Sequence, residues 1–368
     1  MTHIVFRTDA SVEIGTGHVM RCLTLASALK ARGADCYFLC KDHTGHLMDK
    51  IHALGFPVFP LVMEEQNPKT ADSVHGHWLG GSWKADATQC HSFLKKIQPH
   101  WVVVDHYGLD IRWEKEIRPC TGKIFVLDDL ADRCHDCDIL LDSGRKPKSQ
   151  DYQDLVPPHC ILLLGTDHLL LRDEFIRMRP ESLKRRIHTT LRRILITMGG
   201  MDMGNATGRI LNTLRSLPFI KELEVDIVLG SKAPHLETVR QQLDSFPCSV
   251  QMHIDTPSMA ELMAQNDLAI GATGSTAWEF CCMGLPSILF FLAENQKTIA
   301  NHLKQHEAAW IFENIERGLF ELPLLLERIK KNPLSLQAIS VKSQCLTDEK
   351  GTDRVVRHFF TEPHRGTK

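Results

Sequence analysis

The chemistry-bearing residues of this chain gather around two glycine turns. The first is Ile14-Gly15-Thr16-Gly17-His18, which follows an apolar run ending in Arg7-Thr8-Asp9. Glycines at such a place let the backbone turn tightly and approach a ligand closely. The helix that starts there presents free N–H groups and a partial positive charge, which suits a diphosphate. An imidazole at the helix start, with the carboxylate Asp9 and Arg7 expected beside it, can act as a base near neutral pH. The helix N-terminus favours its neutral, proton-accepting form. The competing structural role for His18 is to satisfy a backbone group. The turn departs from the dinucleotide fingerprint. Its third Gly is missing, because Val19-Met20 follow His18, and Asp42 sits in a loop after Cys40-Lys41 rather than at the ribose position. Those departures argue against NAD or FAD, and no cofactor is expected.

The second turn, Met198-Gly199-Gly200-Met201-Asp202, again follows an apolar run. Farther on, Gly271-Ala272-Thr273-Gly274-Ser275-Thr276-Ala277-Trp278-Glu279 leads small residues into another helix start. Ser275 and Thr276 can cap that helix or donate to a phosphate. Glu279 lies one turn in and can accept both hydroxyls of a ribose; as a plain structural residue it would be a carboxylate favoured by the helix dipole. Glu294-Asn295-Gln296 offers amides that can reach a phosphate or sugar. Cys134-His135-Asp136-Cys137 has metal-ligating residue types but no second ligand pair at similar spacing, so no metal is expected.

These turns need strands and helices to hold them. Strand-like runs are His3–Thr8, Asp35–Cys40, Val58–Val62, Trp101–Asp105, Lys123–Asp128, Ile139–Asp142 and Ile161–Leu164. They are short and apolar at nearly every position, as in parallel sheets buried on both faces. The clearest helical period is His18–Arg32, stopped by Gly33. A basic stretch, Arg177–Arg193, reads as a solvated linker. Strand patterns then resume at Ile194–Met198, Val225–Leu229, Val250–Ile254, Leu268–Ile270, Ser287–Phe291 and Ala309–Phe312. Helical patterns there cover Ala206–Ser216, Ala233–Phe246, Ser258–Gln265, Ser275–Met283 and Thr298–Gln305. The alternation predicts an α/β fold of two doubly wound, Rossmann-like domains facing a central cleft. The expected boundaries are 1–178, 190–350, and a C-terminal helix and tail at 351–368.

Composition narrows the partners. With 43 Lys plus Arg against 45 Asp plus Glu, the 368-residue chain offers no electrostatic reason to bind nucleic acid or an anionic membrane. No apolar run approaches the ~20 residues of a membrane span. The N-terminal MTHIVFRTDA lacks a secretory pattern, and the 12 Cys lie scattered, mostly in apolar runs. A cytoplasmic protein with reduced thiols is the expectation. The oligomeric state is left open by the sequence, which is compatible with a monomer.

Phe6-Arg7-Thr8-Asp9-Ala10 and Ile14 to Arg21 resemble the UDP-sugar hydrolases of pseudaminic acid biosynthesis, which act on UDP-2,4-diacetamido-2,4,6-trideoxy-β-L-altropyranose. The likeness continues through Asp105-His106-Tyr107-Gly108, Asp128-Asp129, His135 to Leu141, Leu171 to Phe175, Met198-Gly199-Gly200 and Asn295-Gln296, from about Ile4 to Leu303. The C-terminal half is also similar to GT-B glycosyltransferases such as the peptidoglycan enzyme that adds N-acetylglucosamine to lipid I. The resemblance implies a GT-B fold, a metal-independent hydrolase, water attack at the anomeric carbon with inversion, and release of UDP. It implies His18 as base, with Tyr107 and Asn295 as the other active-site side chains. It also implies UDP-binding roles for Gly15, Gly17, Gly199, Gly200, Ile254, Gly274, Ser275, Thr276, Glu279 and Gln296. The pathway it implies is one that feeds flagellin glycosylation. Asn67–Lys84 departs from the pattern and reads either as a loop over the sugar or as a variable surface loop. The alternatives are a GT-B UDP-sugar glycosyltransferase and a non-catalytic nucleotide-sugar binding protein.

Overall fold

Strands that are apolar on both faces must be covered on both faces, and in this chain helices do so. The structure, a computed structural model, describes residues 1–64, 75–144, 148–293 and 296–360. It divides into two units: Met1–Leu170 with the segment from Lys350 onward, and Leu171–Glu349. The first holds β1 (Thr2–Thr8), β2 (Ala34–Lys41), β3 (Val58–Leu61), β4 (Trp101–Asp105), β5 (Lys123–Leu127), β6 (Ile139–Asp142) and β7 (Ile161–Leu164). The second holds β8 (Arg193–Thr197), β9 (Glu224–Leu229), β10 (Ser249–Ile254), β11 (Leu268–Ala272), β12 (Ser287–Phe290) and β13 (Trp310–Phe312). Each expected strand is present, with ends moved by at most two residues.

All pairings are parallel, in the orders β3-β2-β1-β4-β5-β6-β7 and β10-β9-β8-β11-β12-β13. Alternate residues of β1 show why the apolar runs are continuous. Ile4 and Phe6 enter one core layer with Leu25, Phe38 and Phe125, whereas Val5 enters the opposite layer with Val102, Val104 and Trp113. In each sheet the chain reverses winding direction once, between β1 and β4 and between β8 and β11. Crevices at the carboxyl ends of such neighbours are where open α/β sheets bind ligands. Both glycine turns follow the first strand of such a pair.

The linker expected over Arg177–Arg193 is instead largely helix, Asp173–Arg186, with Phe175, Ser182 and Arg186 buried. The basic residues misled because their partners are backbone carbonyls far along the chain. Arg186 donates to Met263 and Asn266 oxygens at the end of the helix Met259–Gln265. Arg179 donates to Cys282, Gln344 and Thr347 oxygens. Guanidinium groups thus satisfy carbonyls that a helix end leaves without partners. The unit boundary consequently falls at Leu170/Leu171 rather than after 178. The C-terminal helix Gly351–Arg357 is part of the first unit, its Val355 and Val356 buried with Phe359 in the core beneath β1.

Replacing Arg186 by Met keeps apolar bulk but strands two buried carbonyls. Urea unfolding should show the second unit destabilised by about 2–4 kcal/mol; an unchanged midpoint would remove the capping role.

Candidate functional site

The turn before His18 is built locally. Ser11 Oγ accepts from the amides of Glu13 at 3.1 Å and Ile14 at 2.9 Å. Gly15 has φ of 79°, a left-handed conformation that favours glycine. The helix Gly17–Lys30 begins immediately after and carries His18 in its first turn. Next to β1 in the sheet, β4 places Asp105 level with Thr8. His18 Nδ1 lies 2.5 Å from Asp105 Oδ1.

The carboxylate beside His18 is therefore Asp105, not the expected Asp9. Asp9 and Arg7 are fully buried and engaged elsewhere. Arg7 bonds Asp9 at 2.7 Å and Asp86 at 2.7 and 3.1 Å, and Asp9 accepts from the Lys41 amide at 2.7 Å. His18 and Asp105, 87 positions apart, meet because β1 and β4 are neighbours.

Burial alone would push the Asp105 carboxyl up, but the adjacent Arg21 guanidinium, with His18, holds it well below the usual carboxylate range. Arg21 bonds Asp105 through Nε at 2.6 Å and a terminal nitrogen at 2.7 Å, and reaches Asp129 at 2.5 Å. An ionised carboxylate only accepts, so His18 must carry its hydrogen on Nδ1. In the neutral imidazole the lone pair is then on Nε2, the nitrogen a base needs. The 3.4 Å approach of Arg21 to Nδ1 is that of a second donor and does not compete. Tyr107 packs edge-on against His18, ring centres 4.6 Å apart, and donates its hydroxyl to Asp129 at 2.7 Å. Burial, then the Asp129 charge, pushes the Tyr107 hydroxyl well up, so it stays protonated. The structure thus brings His18 and Tyr107 together. Asp105, Arg21 and Asp129 had no assigned role in the sequence, although an apolar strand ending in Asp at a sheet's carboxyl edge is a readable signal.

In the second unit, Gly199 (φ of 96°) and Gly200 form the turn after β8. The helix start behind that turn, whose Gly199 and Gly200 the resemblance assigns to UDP, is already capped. Asp202 accepts from the Ala206 and Thr207 amides at 2.8 and 2.9 Å, and Asn205 accepts from Gly208 at 3.2 Å. By contrast, no described residue accepts from the amides of Gly274, Ser275 or Thr276 after β11. Gln296 directs its side-chain oxygen to Thr273 Oγ1 and the Leu292 amide, both at 3.1 Å, which turns its NH₂ group the other way. Glu279 is gripped through Oε1 alone by Arg172, at 3.0 and 3.3 Å, leaving Oε2 for another donor. Arg172 is a further residue without an assigned role in the sequence. Ile254 ends the edge strand β10. Asn295 lies outside the described residues. His135, of the Cys/His cluster, is buried on Glu114 at 2.7 Å, and Cys137 Sγ is 3.5 Å from Cys160 Sγ.

Two parallel-sheet, Rossmann-like domains with ligand-type loops at their strand ends define the GT-B class of fold. Residues 208–355 match the glycosyltransferase family 28 C-terminal domain. The crystal structure of MurG from Acinetobacter baumannii is similar in fold, with a TM-score of 0.64 over 98% of this chain and 99% of that one, at 15% identity. More particularly, the chain is similar to the UDP-2,4-diacetamido-2,4,6-trideoxy-beta-L-altropyranose hydrolase of Campylobacter jejuni subsp. jejuni serotype O:2. The two are 27% identical over 301 residues, 82% of this chain and 95% of that one. An uncharacterized protein of Methanocaldococcus jannaschii is 27% identical over 299 residues, 80% of this chain; the match spans 56% of that relative's length.

Acid should act unequally on the two units. In the first, Asp9, Asp86, Asp105 and Asp128 would all be raised by burial, but Arg7, Arg21 and Arg133 bring them below their ordinary value. Depressed folded values stabilise above the unfolded pKa of ~3.9 and lose that stabilisation as pH falls through the folded values. In the second unit, burial raises Glu174 and Glu279, the opposite sign. Hydrogen exchange read unit by unit during acid titration should show the first unit opening at higher pH; the reverse order would contradict this electrostatic assignment.

Proposed function

We propose that the chain is a nucleotide-sugar hydrolase whose base is His18. The observation that carries this reading is the 2.5 Å contact of His18 Nδ1 with buried, ionised Asp105, which leaves Nε2 free to take a proton. In the proposed reaction Nε2 accepts a proton from water as the water oxygen bonds to the anomeric carbon. The bond from that carbon to the phosphate oxygen breaks, its electron pair leaves with UDP, and the configuration inverts. Asp105 stabilises the imidazolium that forms. In the second unit the open amides of Gly274–Thr276 and the Gln296 NH₂ suit phosphate oxygens, and Glu279 Oε2 suits a ribose hydroxyl. Similarity to the Campylobacter hydrolase supports UDP-2,4-diacetamido-2,4,6-trideoxy-β-L-altropyranose as the substrate, and hence a step of pseudaminic acid synthesis in the cytoplasm. The family 28 C-terminal match favours a second reading, a transferase that passes the sugar to an alcohol. Acceptor dependence separates the two.

Incubated with that UDP-sugar and no acceptor, the protein should release free UDP and free sugar over many turnovers; turnover only with an added acceptor would select the transferase. In ¹⁸O-water the label should enter the sugar, and label in UDP would mean attack at phosphorus. His18→Ala should lower kcat by about 10²–10⁴ while UDP affinity stays near wild type; unimpaired turnover would eliminate the base.

A further inference from the structure

Of the segment Asn67–Lys84, residues 67–74 lie outside the described residues, and the part from His75 onward contributes an aromatic cover to the base. A short 3-10 turn, Gly76–Leu79, carries Trp78. Its ring stacks on Tyr107, centres 5.8 Å apart at 24°, and meets His18 at 6.3 Å and 75°. The His75 ring lies 4.5 Å from Trp78 and 5.5 Å from Tyr107. Only 8% of His18 and 6% of Tyr107 remain exposed.

This cover is firmly seated. Leu79 is buried in the core layer beside Val104 and Trp113. The Gly80 carbonyl accepts from buried Lys41 Nζ at 3.3 Å and from the Glu64 amide at 3.0 Å. Gly80 has φ of 63°, and a Cβ there would lie 2.5 Å from Met63 Cε. Glu64 also holds the Ser82 amide at 3.2 Å, and Glu13 holds His77 at 2.8 Å. A Cβ on Gly108 would come to 3.0 Å from the His75 carbonyl, so any side chain there would crowd the turn.

An acceptor alcohol must bring its oxygen within about 2.6–3.2 Å of the base. Its carbon then needs contact room of about 3.5–4.0 Å beside the same ring. Trp78 and Tyr107 stand edge-on to the His18 ring, with centres 6.3 and 4.6 Å away, and compete for that room, whereas water carries no carbon. We propose that Trp78 determines the nucleophile: it excludes alcohols from the His18 base and leaves water as the group that attacks. This rests on the hydrolase reading and narrows it. The chemistry is the same for either nucleophile. His18 takes the O–H proton, the oxygen bonds to the anomeric carbon, and the electron pair of the breaking bond leaves with UDP. Water gives the free sugar and methanol would give the methyl glycoside.

The test compares wild type, Trp78→Phe and Trp78→Ala with UDP-2,4-diacetamido-2,4,6-trideoxy-β-L-altropyranose in buffer with and without molar methanol. Wild type and the Phe variant should give free sugar. The Ala variant should raise the ratio of methyl glycoside to free sugar about tenfold or more. Independently of turnover, diethyl pyrocarbonate should modify His18 about tenfold faster in the Ala variant, read by peptide mass mapping. Trp78→Leu serves both measurements if the Ala variant does not fold. If wild type releases UDP in plain buffer and the small variants keep its product ratio and modification rate, this inference alone falls. If wild type releases no UDP without alcohol, the hydrolase reading falls and takes this one with it.

Discussion

A carboxylate removed from water is costly unless it is paired and hydrogen-bonded. Asp105 is fully buried, and the surroundings of His18 follow from keeping it ionised. Arg21 supplies a two-pronged guanidinium at 2.6 and 2.7 Å, and His18 supplies an N–H at 2.5 Å. The imidazole has no choice of tautomer beside that charge. Arg21 has a third bond to Asp129, and Asp129 holds the Tyr107 hydroxyl. One ion pair thereby ties a helix start to the loops after β4 and β5. Loss of the carboxylate would leave Arg21 and His18 without their main acceptor and release the tautomer together with the geometry.

Behind this network lies a second, drier one. Arg7, Asp9, Lys41 and Asp86 are all completely buried, and the Trp113 indole donates to Asp86 at 3.0 Å. Its members have no exposed face on which to meet a ligand. Their effect on the site is mechanical. Lys41 holds the Gly80 carbonyl, and Gly80 ends the turn that carries Trp78. Charges at the end of β1 and β2 thus help set where an aromatic ring stands beside His18. Such a cluster is strongly coupled, because removing one partner leaves another buried charge uncompensated.

The two units use the same topological device with different endings. Each puts a glycine turn after the strand next to its winding reversal. In the first unit the helix after that turn delivers an imidazole. In the second, the helix after Gly200 is closed by its own Asp202 and Asn205, whereas no described residue accepts from the amides of Gly274, Ser275 and Thr276. A helix start binds an anion only where its amides have not already found an acceptor. Glycine spacing shows where a turn falls and says nothing about that competition.

What the sequence determined by itself was local. Apolar runs without alternation gave the strands and their parallel arrangement, because a strand buried on both faces has no polar side. Glycine turns located the loops at strand ends, and His18 stood out by its place at a helix start, whereas Tyr107 was singled out only by the resemblance. The tertiary structure decided the partners. Arg177–Arg193 looked solvated because nothing nearby in the chain announces that Arg186 will meet the carbonyls of Met263 and Asn266. Asp9 looked like the partner of His18 because it is near in sequence. Asp105 is the partner because the crossover from β1 leads eventually to β4 at its side, and hydrogen bonding between strands, not distance along the chain, fixes which carboxylate an imidazole can reach.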